Sequence, residues 1–365
     1  MTYTLAEFAQ SIFASLELPE CENSLGLDTN PSGRHCVLLV DGLGKNAIDE
    51  YSEGLALSSL DYLRTLQATF PSTTATSLTS FGTGEAPGRH GMVGYTMLVP
   101  HSGSPERILN ALKWDERIDP VNWQPIPTLF ERGVTHGIKV THIAGKRYAN
   151  TGFTRAALRG AEYVGVNTAD EMVSAARSAL AGSKSFSYLY VNDVDEASHS
   201  SGYGSERFRQ ALQKVDSLVA NLKRELPKGT NLWITSDHGM INSEEAIVIG
   251  KDNGLLSGIR LMAGEPRVRY LHLQDPNSTE TAEIWRDFFG EKVTIYRREE
   301  AIAAGLFGKS VSERNAERIG DLVVIAEKKL ILVELEREAQ QLAMVGHHGG
   351  ITPAETEIPL LMSEL

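Results

Sequence analysis

Short apolar runs alternate with segments of helical spacing along most of the chain. Continuous apolar runs are typical of parallel strands buried on both faces, and they lie at residues 35–40, 138–143, 186–191 and 233–235. Helical spacing is found at residues 5–16, 168–181 and 205–226. Because strands and helices alternate, the pattern predicts an α/β protein with helices on both faces of a parallel sheet.

The pattern changes after about residue 254. Residues 268–273 alternate as a half-exposed strand does, residues 279–289 have helical spacing, and residues 293–296 alternate again. We therefore expect a small α+β insert, which divides the chain into a core at 1–254, a cap at 255–319 and the end of the core at 320–365. Ahead of this region, residues 58–69 are also predicted to form a helix.

Composition and charge narrow the class of protein. The chain has 365 residues, of which 41% are hydrophobic and 22% charged, as in ordinary soluble globular proteins. Its formal net charge of −12 argues against binding to polymeric nucleic acid, which requires clustered basic residues. Two cysteines are too few for a disulfide framework, and the segment from Met1 lacks the basic start of a secretory signal. Without a long apolar run either, we expect a cytoplasmic protein that does not contact membranes.

The stretch from Phe70 to Thr79 is rich in serine and threonine and follows Phe70-Pro71. It predicts a strand end that turns into the first turn of a helix, where backbone N–H groups favour an anion such as phosphate. Taken alone, such a stretch is more often a simple helix cap.

Four groups of acids and histidines change that assessment, because each lies at or shortly after the end of a probable strand. They are Asp41, the pair Asp195 and His199, the pair Asp237 and His238, and the pair His347 and His348. Open α/β sheets bind their ligands at this edge. Carboxylate and imidazole ligands without thiolates suit catalytic zinc or manganese. Two such ions about 3.5–4 Å apart would make a threonine hydroxyl nucleophilic.

These motifs, in this order, resemble the nucleotide pyrophosphatase/phosphodiesterase family of the alkaline phosphatase superfamily over residues 35–362. The resemblance identifies Asp41 with the family's first aspartate and Thr74, three residues after Pro71, with its nucleophile. It implies a three-layer α/β/α sandwich with a cap. It further implies two zinc sites, whose ligands are Asp195, His199 and His348 for one and Asp41, Thr74, Asp237 and His238 for the other.

Two positions depart from the family pattern, and two further assignments leave a choice open. Tyr95 stands where many members have an asparagine that contacts the phosphoryl oxygen, and a phenol can also donate a hydrogen bond. Ser198 replaces a glycine. His348 is preferred to His347 only by the match to His-Gly, and Thr73 is the alternative to Thr74. We expect Tyr95 and Thr73 to contact substrate.

Several residues near the motifs allow both a structural and a functional interpretation. His90 lies in a glycine-rich segment and is more often structural than catalytic at such a position. Trp114, Trp123 and Tyr270 could stack a base or pack a core, and packing is the favoured interpretation. Specificity is expected from residues 95–125 and from the insert.

The absence of lysine and arginine between Thr65 and Gly88 favours a singly charged diester over a dianionic monoester. We therefore expect a metal-dependent phosphodiesterase or nucleotide pyrophosphatase that acts on small nucleotide-like substrates through a phosphothreonine. A phosphomonoesterase remains an alternative because of Arg89. A metal-dependent binding protein without turnover is the other alternative. The lack of a Cys-x-Pro-x-Arg motif excludes a sulfatase.

Overall fold

The computed structural model describes residues 3–30, 32–250 and 252–365. Its strands, in chain order, are β1 (Arg34–Val40), β2 (Asp61–Gln67), β3 (Thr96–Val99), β4 (Arg107–Asn110), β5 (Lys139–Gly145), β6 (Glu162–Val166), β7 (Ser185–Val191), β8 (Thr230–Thr235), β9 (Ile241–Asn242), β10 (Glu245–Ile249), β11 (Ile259–Glu265), β12 (Val268–Leu273), β13 (Val293–Arg297), β14 (Leu322–Ala326), β15 (Leu330–Glu334), β16 (Gly346–His347) and β17 (Glu357–Glu364).

The α-helices follow in the same order. They are α1 (Leu5–Ser15), α2 (Lys45–Tyr51), α3 (Thr74–Thr83), α4 (Pro87–His90), α5 (Pro120–Trp123), α6 (Leu129–Thr135), α7 (Gly152–Ala157), α8 (Ala169–Ala179), α9 (Asp193–Ser201), α10 (Glu206–Glu225), α11 (Glu280–Phe289), α12 (Arg298–Ala303), α13 (Glu313–Ala316), α14 (Leu335–Glu338) and α15 (Pro353–Thr356). Within the described part of the chain, no helix is both long enough and apolar enough to cross a bilayer.

A seven-stranded mixed sheet forms the centre of the molecule, in the order β2-β17-β8-β1-β7-β5-β6. The five strands from β8 to β6 run parallel to one another. The C-terminal strand β17 is antiparallel to both β8 and β2. The carboxyl ends of the parallel strands therefore meet at one edge of the sheet.

Helices cover both faces of this sheet because the side chains of the central strands alternate between them. On β1, Val37 and Leu39 join a core that includes Phe8 of α1 and Phe81 of α3. Cys36, Leu38 and Val40 join the opposite core, which contains the apolar stripes of α8 and α10. Both faces of the strand are thus buried, as its continuous apolar run predicts. The predicted three-layer α/β/α sandwich is confirmed.

A second, four-stranded antiparallel sheet has the order β11-β12-β14-β13 and packs against α11, whose Trp285 is buried. The strands and helix predicted at 268–296 are all present. The sheet continues beyond the predicted insert, because β14 begins at Leu322. The predicted half exposure of residues 268–273 is wrong, since every residue of β12 is buried. The polar Arg269 is buried because its guanidinium donates to Glu338 and to the carbonyl oxygen of Leu332.

The helix predicted at residues 58–69 is wrong. Residues Ala56–Ser59 form a 3-10 turn, and β2 follows as the edge strand of the central sheet. Leu60, Leu63 and Leu66 are spaced three apart, which imitates helical periodicity. Pairing with β17 outweighs this local pattern.

Candidate active site

The acids identified in the sequence lie together at the carboxyl edge of the central sheet. Asp41 follows β1, Asp195 lies in the first turn of α9 directly after β7, and Asp237 follows β8. The loop after β1 approaches α9 closely at Gly42, where a Cβ would lie 3.0 Å from the Cα of Asp195. Gly42 also has a φ of +73°, which favours glycine.

Two groups of side chains at this edge have the composition of metal sites. The first, called here the buried cluster, consists of Asp41, Asp237 and His238. Nε2 of His238 lies 3.2 Å from Oδ1 of Asp41 and 3.5 Å from Oδ2 of Asp237. All three side chains are almost fully removed from solvent.

The second group, called here the outer cluster, consists of Asp195, His199 and His348. Asp195 and His199 lie one turn apart on α9, with 3.2 Å between Oδ1 and Nε2. Nε2 of His348 lies 3.8 Å from the same aspartate oxygen. The His348 ring stacks on that of His238 with 3.6 Å between centroids, so the two clusters adjoin.

The three clustered imidazoles share one tautomer. Each donates its Nδ1–H to a backbone carbonyl oxygen, which can only accept. The pairs are His199 with Gly346 at 2.8 Å, His238 with Gly239 at 3.0 Å and His348 with Ser72 at 2.9 Å. Nε2 therefore carries the lone pair in each neutral ring. Such hydrogen bonds orient histidines that ligate metals.

One carboxylate oxygen of each aspartate is buried without a hydrogen-bond partner among the described residues. These oxygens are Oδ1 of Asp41, Oδ1 of Asp195 and Oδ2 of Asp237. The opposite oxygens of the buried pair are satisfied, because the Tyr190 hydroxyl donates to Oδ2 of Asp41 and the Gly42 N–H donates to Oδ1 of Asp237. Unsatisfied oxygens facing free imidazole nitrogens fit divalent cations, which would satisfy both.

The electrostatics of the buried cluster also favour a cation. Burial and the negative charge of Asp41 raise the pKa of Asp237 to about 7. Burial opposes protonation of His238, but the carboxylates of Asp237 and Asp41 outweigh it and raise its pKa to about 10. Burial, together with the neighbouring His238 and His199, holds the pKa of His348 well below its ordinary value. Without a metal, the cluster retains protons that a cation would displace.

Thr74 is the first residue of α3, and its Oγ1 lies 3.3 Å from Nε2 of His238. Two residues earlier, Ser72 ties this turn to the loop that follows His348. Its hydroxyl donates to the carbonyl oxygen of Gly350 at 2.7 Å and accepts the Gly349 N–H at 3.1 Å. These contacts hold Thr74 and the N-terminus of α3 next to both clusters.

A cavity of about 310 Å³ opens in front of the clusters. Predicted site residues that line it are Asp41, Thr73, Thr74, Tyr95, Asp195, His199 and His348. Asp237 and His238 lie behind them and are fully buried. Among the described residues, neither lysine nor arginine lines this cavity. The structure brings every predicted site residue together at one edge of the sheet.

The residues with two interpretations are also resolved by their positions. His347 lines the cavity, but His348 joins the outer cluster. His90 is buried and hydrogen-bonded to Ser80 at 2.9 Å, so its interpretation as structural is supported. Trp114, Trp123 and Tyr270 lie outside the cavity lining, as packing residues do.

Sequence reasoning missed several polar residues of the cavity wall, among them Tyr148, Tyr190, Asn192 and Glu265. Tyr190 reaches Asp41 because β7 pairs with β1, which no local pattern reveals. Glu265 ends β11 in the second sheet, and its Oε1 has no hydrogen-bond partner among the described residues. Burial raises the pKa of Glu265 to about 8, despite a hydrogen bond from Thr73 that lowers it.

Comparison with known proteins adds three findings. Residues 35–351 match the family model described as type I phosphodiesterase/nucleotide pyrophosphatase. No curated protein sequence matches the chain. The fold is similar to murine ectonucleotide pyrophosphatase/phosphodiesterase 5, with a TM-score of 0.70, 15% identity and coverage of 90% of this chain and 87% of that one.

Two further solved structures share the fold. An inactive variant of the same murine protein, in complex with AMP, has the same TM-score of 0.70 and 15% identity over 90% of this chain and 87% of that one. Phosphonoacetate hydrolase from Sinorhizobium meliloti 1021, in complex with phosphonoformate, has a TM-score of 0.65 and 18% identity, covering 91% of this chain and 90% of that one.

Proposed function

Because the chain belongs to the type I phosphodiesterase/nucleotide pyrophosphatase family, we propose that it hydrolyses phosphodiester or phosphoanhydride bonds of small nucleotide-like substrates, with Thr74 as the nucleophile. The observation that carries this proposal is the position of Thr74, whose Oγ1 lies 3.3 Å from His238 in the buried cluster and beside the cavity. A ligand such as the AMP bound to the murine relative is of the proposed class.

The donor sets support a pair of divalent cations, for which zinc is the first choice and manganese is compatible. Asp195, His199 and His348 would hold one ion, and the buried cluster with Thr74 would hold the other. Two such ions supply Lewis acidity, which lowers the pKa of the attacking hydroxyl groups and neutralises charge on the phosphoryl oxygens.

The residues of the chain divide the reaction into two displacements. Oγ1 of Thr74 loses its proton to solvent and forms a bond to phosphorus as the bond to the leaving oxygen breaks. The leaving group then takes up a proton. In the second step water attacks the phosphothreonine, and Thr74 leaves with a proton. Backbone N–H groups at the start of α3 and the hydroxyl of Tyr95 would donate to the phosphoryl oxygens. Thr73, whose hydroxyl donates to Glu265, would contact the substrate from the cavity wall.

The charge of the cavity supports a diester in preference to a monoester. A dianionic phosphate is usually bound by a guanidinium or ammonium group, and the described cavity lining contains neither. Arg89, the residue that left the monoesterase alternative open, is exposed and lies 3.7 Å from Glu85 in an ion pair. It is absent from the cavity lining.

One assay separates the candidate functions. Bis-p-nitrophenyl phosphate and p-nitrophenyl phosphate are supplied to the purified protein with zinc, and again after treatment with a chelator. We expect faster hydrolysis of the diester, and its loss with the chelator and in Thr74→Ala. Faster hydrolysis of the monoester would instead support a phosphomonoesterase. Metal binding without hydrolysis of either ester would support a binding protein.

A further inference from the structure

A second cavity, of about 510 Å³, adjoins the catalytic cavity at the carboxyl ends of β5, β6 and β7. Tyr148, Tyr190 and Asn192 line both cavities. The two cavities therefore adjoin at these three side chains, next to the site where Thr74 would react. Nothing in the proposed chemistry at Thr74 uses this second cavity.

The two cavities differ in charge. Lys146, Arg147 and Lys214 line the second cavity, whereas Asp193 is its only acidic residue among those described. Lys214 lies 4.0 Å from Asp193, and Lys146 forms no ion pair with a described residue. This excess of positive charge is unusual on a chain with 35 basic and 47 acidic residues.

Arg147 stands at the junction of the cavities. Its guanidinium donates to Oδ1 of Asn192 at 3.1 Å and lies 4.8 Å from the centre of the Tyr148 ring. Both partners are residues that the two cavities share. These contacts hold a permanent cation where a substrate would pass from one cavity to the other.

The second cavity also has an apolar floor. Buried side chains that line it include Val166, Met172, Val215 and Leu218. An apolar floor with a cationic rim suits a ligand that has a planar or apolar body and a negative group. A small inorganic anion would leave the floor uncovered.

We propose that the second cavity binds the distal part of the substrate, as a phosphate or similar anionic group joined to a planar or apolar body such as a nucleoside. This inference rests on the proposed function, because it assigns the reacting phosphorus to Thr74. It predicts that a second negative group beyond the bond that is cleaved strengthens binding through the side chains of the second cavity. The three cations supply selectivity, while the reaction itself takes place in the neighbouring cavity.

The kinetic test compares two substrates in the zinc-loaded enzyme. Bis-p-nitrophenyl phosphate has a single charge, whereas diadenosine diphosphate has a second phosphate beyond the reacting one. In Lys146→Gln/Lys214→Gln we expect the KM for diadenosine diphosphate to rise about tenfold, as expected for two lost charge contacts, with kcat unchanged. The kcat/KM for bis-p-nitrophenyl phosphate should stay within twofold.

The control variant Lys139→Gln/Lys309→Gln removes the same charge from exposed positions that line neither cavity. It should leave both substrates unchanged. Equal effects of the two double variants, an equal loss for both substrates, or no effect on either would overturn the proposal. Raised salt should increase the wild-type KM for diadenosine diphosphate and should do so less in Lys146→Gln/Lys214→Gln.

A binding measurement keeps this test separate from the proposed function. Adenosine 5′-diphosphate is titrated by calorimetry into Thr74→Ala protein, with and without the Lys146→Gln and Lys214→Gln substitutions. We expect about tenfold weaker binding when both lysines are replaced. Equal affinities would overturn the second subsite even if the diester assay succeeds. If the lysine substitutions weaken ADP binding but the wild-type enzyme does not hydrolyse the diester, the second subsite is supported and the proposed reaction is contradicted.

Discussion

The buried cluster and the ion pair between Arg267 and Glu355 are both buried and charged, but they differ in how their charges are satisfied. Both oxygens of Glu355 accept from Arg267, at 2.9 and 3.0 Å, and also from the Gly350 N–H and the Thr352 hydroxyl. In the buried cluster, one oxygen each of Asp41 and Asp237 has no such partner among the described residues.

This difference separates a structural ion pair, which supports the fold around the site, from the side chains of the site itself. Arg267 lies in the turn between β11 and β12, and Glu355 bonds the loop after His348. The carbonyl oxygen of Glu355 also accepts the N–H of Gly239, which follows His238. A fully satisfied ion pair therefore braces both clusters, whose own oxygens remain available to cations.

The largest effect is expected at the nucleophile. Thr74→Ala removes the attacking oxygen, so diester hydrolysis should fall at least about 10³-fold, while bound zinc stays near normal. The measurement is steady-state kinetics together with elemental analysis. Thr79→Ala, which removes another buried hydroxyl of α3 outside the cavity, is the matched control. Residual activity near wild type in Thr74→Ala would exclude Thr74 as the nucleophile.

Breaking the framework pair should have the next largest effect. Arg267→Met leaves the buried Glu355 charge without its partner, and the free energy of unfolding should fall by about 3–5 kcal/mol. Urea denaturation measures the loss. The partly exposed pair of Arg337 and Glu334 provides a contrast, because water reaches the guanidinium and Arg337→Met should cost less than about 1 kcal/mol.

Arg267→Met can also prevent folding altogether. The double variant Arg267→Met/Glu355→Leu then removes both charges and should recover a folded protein. Equal stability of Arg267→Met and Arg337→Met would show that the buried pair does not brace the site.

Removal of a charge from the buried cluster should change the free energy of unfolding in the opposite direction, because one oxygen each of Asp41 and Asp237 lacks a hydrogen-bond partner among the described residues. Asp237→Asn removes a buried negative charge beside Asp41, so the chelated protein should gain about 1 kcal/mol of stability or more. With zinc present the same variant should be less stable than wild type, because a ligand is lost. Thermal unfolding with and without zinc measures both effects. If Asp237→Asn destabilised the chelated protein, the carboxylate of Asp237 would be as well satisfied as that of Glu355, and the proposed difference between them would be wrong.

The smallest expected effect concerns a buried histidine that is fully bonded. His35 accepts the indole N–H of Trp233 at 3.1 Å and donates to Ser15 at 3.1 Å, and burial lowers its pKa to about 3. The unfolded chain therefore binds a proton below about pH 6.5 that the folded chain excludes. Stability is complete above that pH and is lost on acidification, by about 1.4 kcal/mol per pH unit for such a group.

Urea denaturation of wild-type protein at pH 6.5 and pH 5.5 measures this loss. His35→Asn, which lacks the imidazole, should lose less stability over the same interval. The exposed His101 is the control, and His101→Gln should follow the wild-type dependence. An unchanged pH dependence in His35→Asn would show that His35 is not the group responsible.

The convergence of the metal ligands could be predicted because it follows from one rule. Asp41, Asp195 and Asp237 each lie at or shortly after the end of a run that predicts a buried strand, and the carboxyl ends of parallel strands share an edge. The separation in sequence between these residues does not matter for that inference. His348 could not be predicted by this rule, because the short strand β16 that precedes it is not evident in the sequence. Only the family resemblance identified His348 as a ligand.

Features that depend on pairing between distant segments could not be predicted. Tyr190 reaches Asp41 only because β7 lies next to β1. Glu265 reaches the cavity wall from the second sheet. The hydrophobic periodicity of the sequence does not reveal the strand order of that sheet. The error at residues 58–69 has the same origin, since pairing with β17 decides the conformation of β2. Local patterns predicted the elements, and long-range pairing determined which side chains surround the substrate.

The most direct test of the account is the number of zinc ions that each cluster holds, measured by calorimetric titration and elemental analysis of the chelated protein. We expect two ions per chain in the wild type. We expect one ion in Asp195→Asn/His348→Ala and one in Asp41→Asn/Asp237→Asn. A wild type that binds no zinc, or a stoichiometry that neither double variant changes, would contradict it.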